Sequence, residues 1–175
     1  MTKFLLYFFS IILLLALNIV FPTIRSSTPN FLFLFVVVNA FRKNNQDFLW
    51  LAFFSGLMLD IYSNVFFGTY TLSFMIIAVI ISYTTKIFFS ADPSIVYFGS
   101  VAAVSNLLLI GLVFIMNTVG VHIQSNLGRI PALYLGQKIW IDLFLNLIFV
   151  GPIYYLSSVI ERIIEDNAKR SARTF

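Results

Sequence analysis

The chain has 175 residues, 60% of them hydrophobic and only 10% charged, and its mean hydropathy is +0.96. A soluble domain carries about 45–50% apolar and about 25% charged residues, and one of this size still exposes much of its surface; a water-packed fold is excluded and lipid becomes the solvent for most side chains. The net charge of +4 is distributed between apolar runs, so it reads as a topology signal and not as a nucleic-acid footprint, and the absence of Cys excludes disulfides, thiolate metal sites and Cys nucleophiles.

A bilayer-crossing helix needs about 20 apolar residues, within a range of about 17–25. Residues Phe4–Phe21 form the first such run, closed by Pro22. It is longer than a signal-peptide core and no small-x-small site follows it, so a retained first helix is expected. Asn30–Phe41 is a short second run, preceded by Thr28 as N-cap hydroxyl with Pro29 at the first helical position, and closed by Arg42-Lys43-Asn44-Asn45. Phe48–Ile61, also short, ends on Gly56-Leu57-Met58-Leu59-Asp60. Phe66–Thr85 is the fourth run, Pro93–Thr118 the fifth and Gln137–Ile160 the sixth, with Asp92-Pro93 repeating the hydroxyl- or acid-then-Pro start. Gly151-Pro152 should kink the sixth helix, and Gly99 with Ala103 gives the fifth a small-xxx-small face. Beyond Ile160 a short helix should lie along the inner leaflet, with Glu165 and Lys169 at i,i+4, before a basic end.

Charge decides whether the two short runs cross. With six spans and the N-terminus in the cytoplasm, the cytoplasmic segments hold Lys3, Arg42, Lys43, Lys86, Arg162, Lys169, Arg170 and Arg173, against Arg25, Arg129 and Lys138 outside. Were the pair not to cross, Arg42 and Lys43 would move outside and the bias would nearly vanish. The positive-inside rule therefore favours six spans, giving an all-α bundle over residues 1–160 with both termini cytoplasmic and a short basic tail over 161–175.

Ionisable groups at membrane depth are functional candidates, because inserting them costs about 2.5–3.5 kcal/mol on translocon scales. Asp142 stands in the opening turns of the sixth helix, where Lys138 four residues earlier can pair with it. Asp60 stands at a helix C-terminus, where its charge opposes the dipole. Its stabiliser should be the backbone of the Tyr62-Ser63-Asn64 turn or a cation such as Arg25 or Lys138; it reads either as a turn cap or as a site for a partner or ligand. Asn18, Asn39, Asn106 and Asn146, with Ser55, Ser82 and Ser105, are expected to bond between helices. His122 has no neighbour at metal-ligand spacing, no phosphate-binding Gly motif is present, and no cofactor is expected.

Three features together resemble the bacterial rod shape-determining protein family MreD: Pro29-Asn30 before an apolar run, where that family typically shows Pro-Asp; Phe54-Ser55-Gly56-Leu57-Met58-Leu59-Asp60 followed by Gly68, similar to its Gly-Leu-x-x-Asp segment; and Asn146, Pro152 and Tyr154-Tyr155-Leu156 before an Arg-containing tail. Asn30 departs from the family's acid, which puts a role for charge there in doubt. The resemblance implies a non-enzymatic scaffold of the cell-elongation machinery in the bacterial cytoplasmic membrane. Its partners would be MreC and, further off, MreB, RodA and a class B penicillin-binding protein of peptidoglycan synthesis, with anionic lipid at its basic edge. Pro29, Asn30, Gly56, Asp60, Gly68 and Asp142 would be its partner-binding or structural residues. The alternative is the substrate-binding subunit of an energy-coupling-factor vitamin transporter, also a small six-span bundle, for which Tyr70, Tyr134 and Trp140 could line a pocket; the first helix, with only Ala16, lacks the small stripe such subunits use.

Overall fold

A computed structural model describes residues 2–20, 29–41, 47–63, 66–88, 95–123 and 135–173. They form six α-helices: α1 (Thr2–Val20), α2 (Phe31–Phe41), α3 (Phe48–Tyr62), α4 (Thr69–Phe88), α5 (Ile95–Ile123) and α6 (Leu135–Arg173). Spans within α4, α5 and α6, namely Thr69–Ile87, Tyr97–Met116 and Trp140–Asp166, are long and apolar enough to cross a membrane. The apolar parts of α1, α2 and α3 are shorter.

The shortest helix is the centre of the molecule. All eleven residues of α2 are buried, and α2 touches each of the other five helices. Those five form a ring around it in the order α1, α3, α4, α5, α6 and back to α1. A helix that is apolar on every face must be buried on every face, and the sequence Phe-Leu-Phe-Leu-Phe-Val-Val-Val-Asn-Ala-Phe satisfies that condition. Its large side chains pack on three of these walls: Phe33 on Phe74 of α4 with ring centroids 5.5 Å apart, Phe41 on Phe98 of α5 at 4.3 Å, and Phe31 on Phe149 of α6 at 5.0 Å.

These contacts fix the register. Asn30, just before α2, bonds Asn146, and Asn39 bonds Ser157, so α2 and α6 run parallel. Phe98, near the start of α5, sits beside the last residue of α2, so α5 runs antiparallel. At 1.5 Å per residue, α6 starts about 16 Å before the level of Asn146, and α5 runs about 21 Å beyond the start of α2. The α5–α6 pair thus reaches well past the end at which α2 begins, carrying exposed Phe114, Ile115, Val119, Trp140 and Phe144.

Several boundaries differ from the sequence reading. The helix after Pro29 begins at Phe31, with Asn30 as its cap, so Pro29 lies outside the first turn; Thr28 lies outside the described residues. The fifth helix runs to Ile123, and the sixth starts at Leu135, because apolar and helix-compatible residues continue beyond Thr118. The charged segment after Ile160 is not a separate helix: α6 is continuous through Pro152 to Arg173. With Ile160 buried and Ile164 packed against the core, nothing ends the apolar face at Ile160. Gly99 does not mark a close helix crossing, since an added Cβ there would meet only Leu147 Cδ1, at an ordinary 3.7 Å.

Candidate functional site

Each helix N-terminus leaves backbone N–H groups without an intrahelical partner, and in hydrocarbon no water replaces that partner. Two helices, α2 and α4, begin at the same end of the bundle, and the polar residues singled out in the sequence converge on them.

The α4 start is built around Gly68. Its φ of +93° lies in the left-handed region, where a Cβ is disfavoured, and it turns the chain from Phe66-Phe67 into the helix. The carbonyl of Gly68 accepts the first helical bond, from Leu72 N–H at 2.9 Å. Gly68 therefore occupies the N-cap position and has no side chain with which to cap. The missing acceptor comes from the neighbouring helix. Asp60 Oδ1 accepts the Tyr70 N–H at 2.8 Å, and Oδ2 accepts both the Thr71 N–H at 3.0 Å and the Thr71 hydroxyl at 2.6 Å. The carboxylate is 3% exposed. An anion at the positive end of a helix, holding two orphan N–H groups, is the arrangement a helix N-terminus favours.

The expectation for Asp60 was a cap on its own C-terminal turn, or an ion pair with Arg25 or Lys138. The turn part is corrected: Ser63 N–H bonds Leu59 O, and the carboxylate reaches the first turn of the next helix instead. Arg25, Asn64 and the Lys138 side chain lie outside what the structure describes. The opposing dipole of α3 is offset by the stronger, directly bonded N-terminus of α4.

Gly56, one turn before Asp60, makes this reach possible. A Cβ on Gly56 would stand 2.5 Å from Thr71 Cα, 2.8 Å from Thr71 N and 2.9 Å from Tyr70 O. No side chain fits there. The α3 backbone lies directly against the first turn of α4, and the shared partner of both contacts is Thr71. Gly56, Asp60, Gly68 and Thr71 thus act on one junction. Thr71 carried no signal in the sequence reading; the hint available was an acid one turn after a Gly, followed by a Gly-Thr-Tyr-Thr helix start.

The α2 start is held by three Asn residues. Asn30 Oδ1 accepts the Phe33 N–H at 3.0 Å as the helix's own cap. Asn146 Oδ1 of α6 accepts the Asn30 N–H at 2.8 Å, and Asn18 Oδ1 of α1 accepts the Phe31 N–H at 3.1 Å. Further down, Asn39 donates to Phe35 O at 2.8 Å and accepts from Ser157 Oγ at 3.3 Å. Asn18, Asn39 and Asn146 therefore do bond between helices. Asn106 and Ser55 are buried as well, but Asn106 Nδ2 and Ser55 Oγ find no partner among the described residues. Pro29 is buried beside this junction. Asp142 lies one turn before Asn146, half-buried, and Tyr70 is within electrostatic reach of both Asp60 and Asp142.

Among the described residues no group of three or more His, Asp or Glu side chains could hold a metal ion. The side chain of His122 and all of Tyr134 lie outside the description.

The six helices and their polar junctions define an all-helical protein of membrane character, in which the buried Asp60, Thr71 and Asn146 join helix ends. Comparison with protein families matches residues 2–160 to the family described as rod shape-determining protein MreD. The match covers most of the chain, and the chain belongs to that family, whose role is in determining rod shape. No curated protein and no solved structure matches.

Proposed function

We propose that this chain is a non-enzymatic scaffold of the cell-elongation machinery that binds MreC and thereby helps organise peptidoglycan synthesis. On this reading it crosses the bacterial cytoplasmic membrane six times with both termini in the cytoplasm. Residues 1–160 make up the bundle and 161–175 the basic tail, within which α6 continues to Arg173, near anionic lipid or MreB. The charge bias of the connecting segments supports the topology. The ends joined by Asp60 and Asn30 then face outward, and the longer α5–α6 pair offers Phe114, Ile115, Trp140 and Phe144 to the external part of MreC.

The observation that carries this reading is the use made of the family-type residues. Gly56, Asp60 and Gly68 are engaged with α4, and Asn30 and Asn146 with α2. They build a rigid surface rather than a reaction centre. Asn30 in place of an acid fits, because the cap needs an acceptor oxygen and not a charge.

Co-purification from bacterial membranes tests the proposal. Recovery of MreC, with or without RodA and the class B penicillin-binding protein, supports it. Recovery of paired ATPases together with a bound vitamin would replace it with the substrate-binding subunit of an energy-coupling-factor transporter.

A further inference from the structure

The outer walls of the bundle differ in height. The α3 wall is bracketed by polar sequence, with the unbroken polar run Arg42 to Asp47 before it and Ser63-Asn64 after it. Its 15 residues rise about 22 Å at 1.5 Å per residue. Trp50 and Tyr62 are exposed near its two ends, about 18 Å apart along the axis. Exposed Phe66 and Phe67 follow, but α4 starts at the level of Asp60, so they add little height. The wall on the far side of the ring is taller. On α6, exposed apolar residues run from Trp140 to Ile163, about 34 Å along the axis. They lie within a stretch of 27 residues apolar enough to cross a membrane, and the neighbouring α5 has 29 residues.

The hydrocarbon core of a bilayer is about 30 Å thick. The α3 wall falls short of it by about 8 Å, whereas the α6 wall exceeds it. Tilting the bundle lowers both walls together, so it relieves α6 only by deepening the deficit at α3. Long Lys and Arg side chains reach out to the headgroups from inside, which serves Arg42 and Lys43. The side chains of Asn44, Asn45, Gln46 and Asp47 are too short for that. Immersing such a polar run in hydrocarbon costs far more than compressing the bilayer by the same distance. We infer that the protein thins the bilayer locally against α3 and leaves it at full thickness against α5 and α6. The partner of the α3 face is therefore lipid, held at a hydrocarbon thickness of about 22 Å. The aromatic residues agree with this height, because Trp and Tyr rings favour the headgroup level and Trp50 and Tyr62 put one at each end of the short wall. The inference rests on the six-span topology proposed above and adds the shape of bilayer that the bundle requires.

The chain has two Trp residues, Trp50 and Trp140, so a sole Trp needs few changes. Trp140→Phe leaves Trp50 alone, and adding Trp50→Phe with Tyr62→Trp moves the probe to the other end of α3. All three positions are exposed, so the packing of the bundle is spared. Each full-length variant is reconstituted into vesicles of dioleoyl phosphatidylcholine and phosphatidylglycerol. The depth of its Trp is read by quenching with lipids brominated near the headgroup or near the chain end. Both α3 probes should be quenched best by the headgroup-side bromines. In an uncompressed core one of the two would lie about 12 Å inside and answer to the chain-end bromines. That result overturns the inference and leaves six spans in place. Trp140, alone after Trp50→Phe, should also read shallow; no quenching of it would put that end of α6 outside the bilayer and overturn the full thickness on its side. If Arg42→Cys is labelled by an impermeant thiol reagent in intact cells, α2 and α3 do not cross, and the six-span reading falls together with the inference.

Discussion

Replacing Asp60 separates the two meanings an acid at this depth could have. Asp60→Ala removes the acceptor for three donors, the Tyr70 and Thr71 N–H groups and the Thr71 hydroxyl. Hydrogen bonds to a charged group contribute about 1.5–3 kcal/mol each, and a buried donor left without a partner costs about 1–3 kcal/mol. The three share one carboxylate, so their losses do not add fully, and the Thr71 hydroxyl can turn to a backbone carbonyl. A cost of about 3–5 kcal/mol results. For a chain of this length, 1 kcal/mol corresponds to a Tm shift of about 2–4 °C, so Asp60→Ala should melt about 6–20 °C below wild type. Asp60→Asn keeps one acceptor oxygen but turns an NH2 group toward a backbone N–H, so it should fall between the two. Thr71→Val should cost about 1–1.5 kcal/mol, and the Asp60→Ala, Thr71→Val double variant should be less damaged than the sum of its parts. Size-exclusion profiles of heated, detergent-solubilised protein measure all four. A melting point for Asp60→Ala within about 2 °C of wild type, accompanied by loss of MreC binding, would refute the clamp and make Asp60 a binding residue.

The two motif glycines should fail for different reasons. Gly56→Ala forces Cβ to 2.5 Å from Thr71 Cα and must part α3 from α4, at about 1–3 kcal/mol or more; Gly56→Leu should abolish accumulation in the membrane. Gly68→Ala meets no atom within 4 Å and bears only the backbone cost of positive φ, about 1–3 kcal/mol, so Gly68→Asn, which tolerates that region, should recover part of the loss in the same melting assay. Asn30→Asp, which restores the family's acid, should stay within about 1 kcal/mol of wild type because the capping oxygen is retained, whereas Asn30→Leu should not. For topology, a cysteine at Arg42 should resist an impermeant thiol reagent in intact cells while one at Gln124 is labelled; labelling at both positions would remove the second and third spans.

The six helices were readable as apolar runs, and the central place of α2 was readable in principle: eleven residues without a polar face have no side to give to lipid headgroups or water. A single run cannot reveal that its faces are covered by five other helices, and hydrophobic length alone made α2 look marginal. Asp60, Gly56 and Gly68 were legible as candidates, yet their common target was not. Local reasoning searched the turn next to Asp60, whereas the donors lie ten and eleven residues on, in a helix whose cap position is occupied by a residue with no side chain. Asn18 and Asn146 were expected to bond between helices, but their acceptance of N–H groups at the start of α2 depends on tertiary register. The ends of α5 and α6 were misplaced because Gly120 and Gly136 lie inside helices, and because the charged residues after Ile160 do not end α6.

Rod shape is the property that tests the central claim most directly. The chain should be expressed as the sole MreD-type protein in a rod-shaped bacterium depleted of its own, and cell length-to-width ratio measured by microscopy. Rods retained by wild type, and lost with Gly56→Leu, are the predicted result. Rounded cells despite normal accumulation of wild-type chain in the membrane would contradict the account.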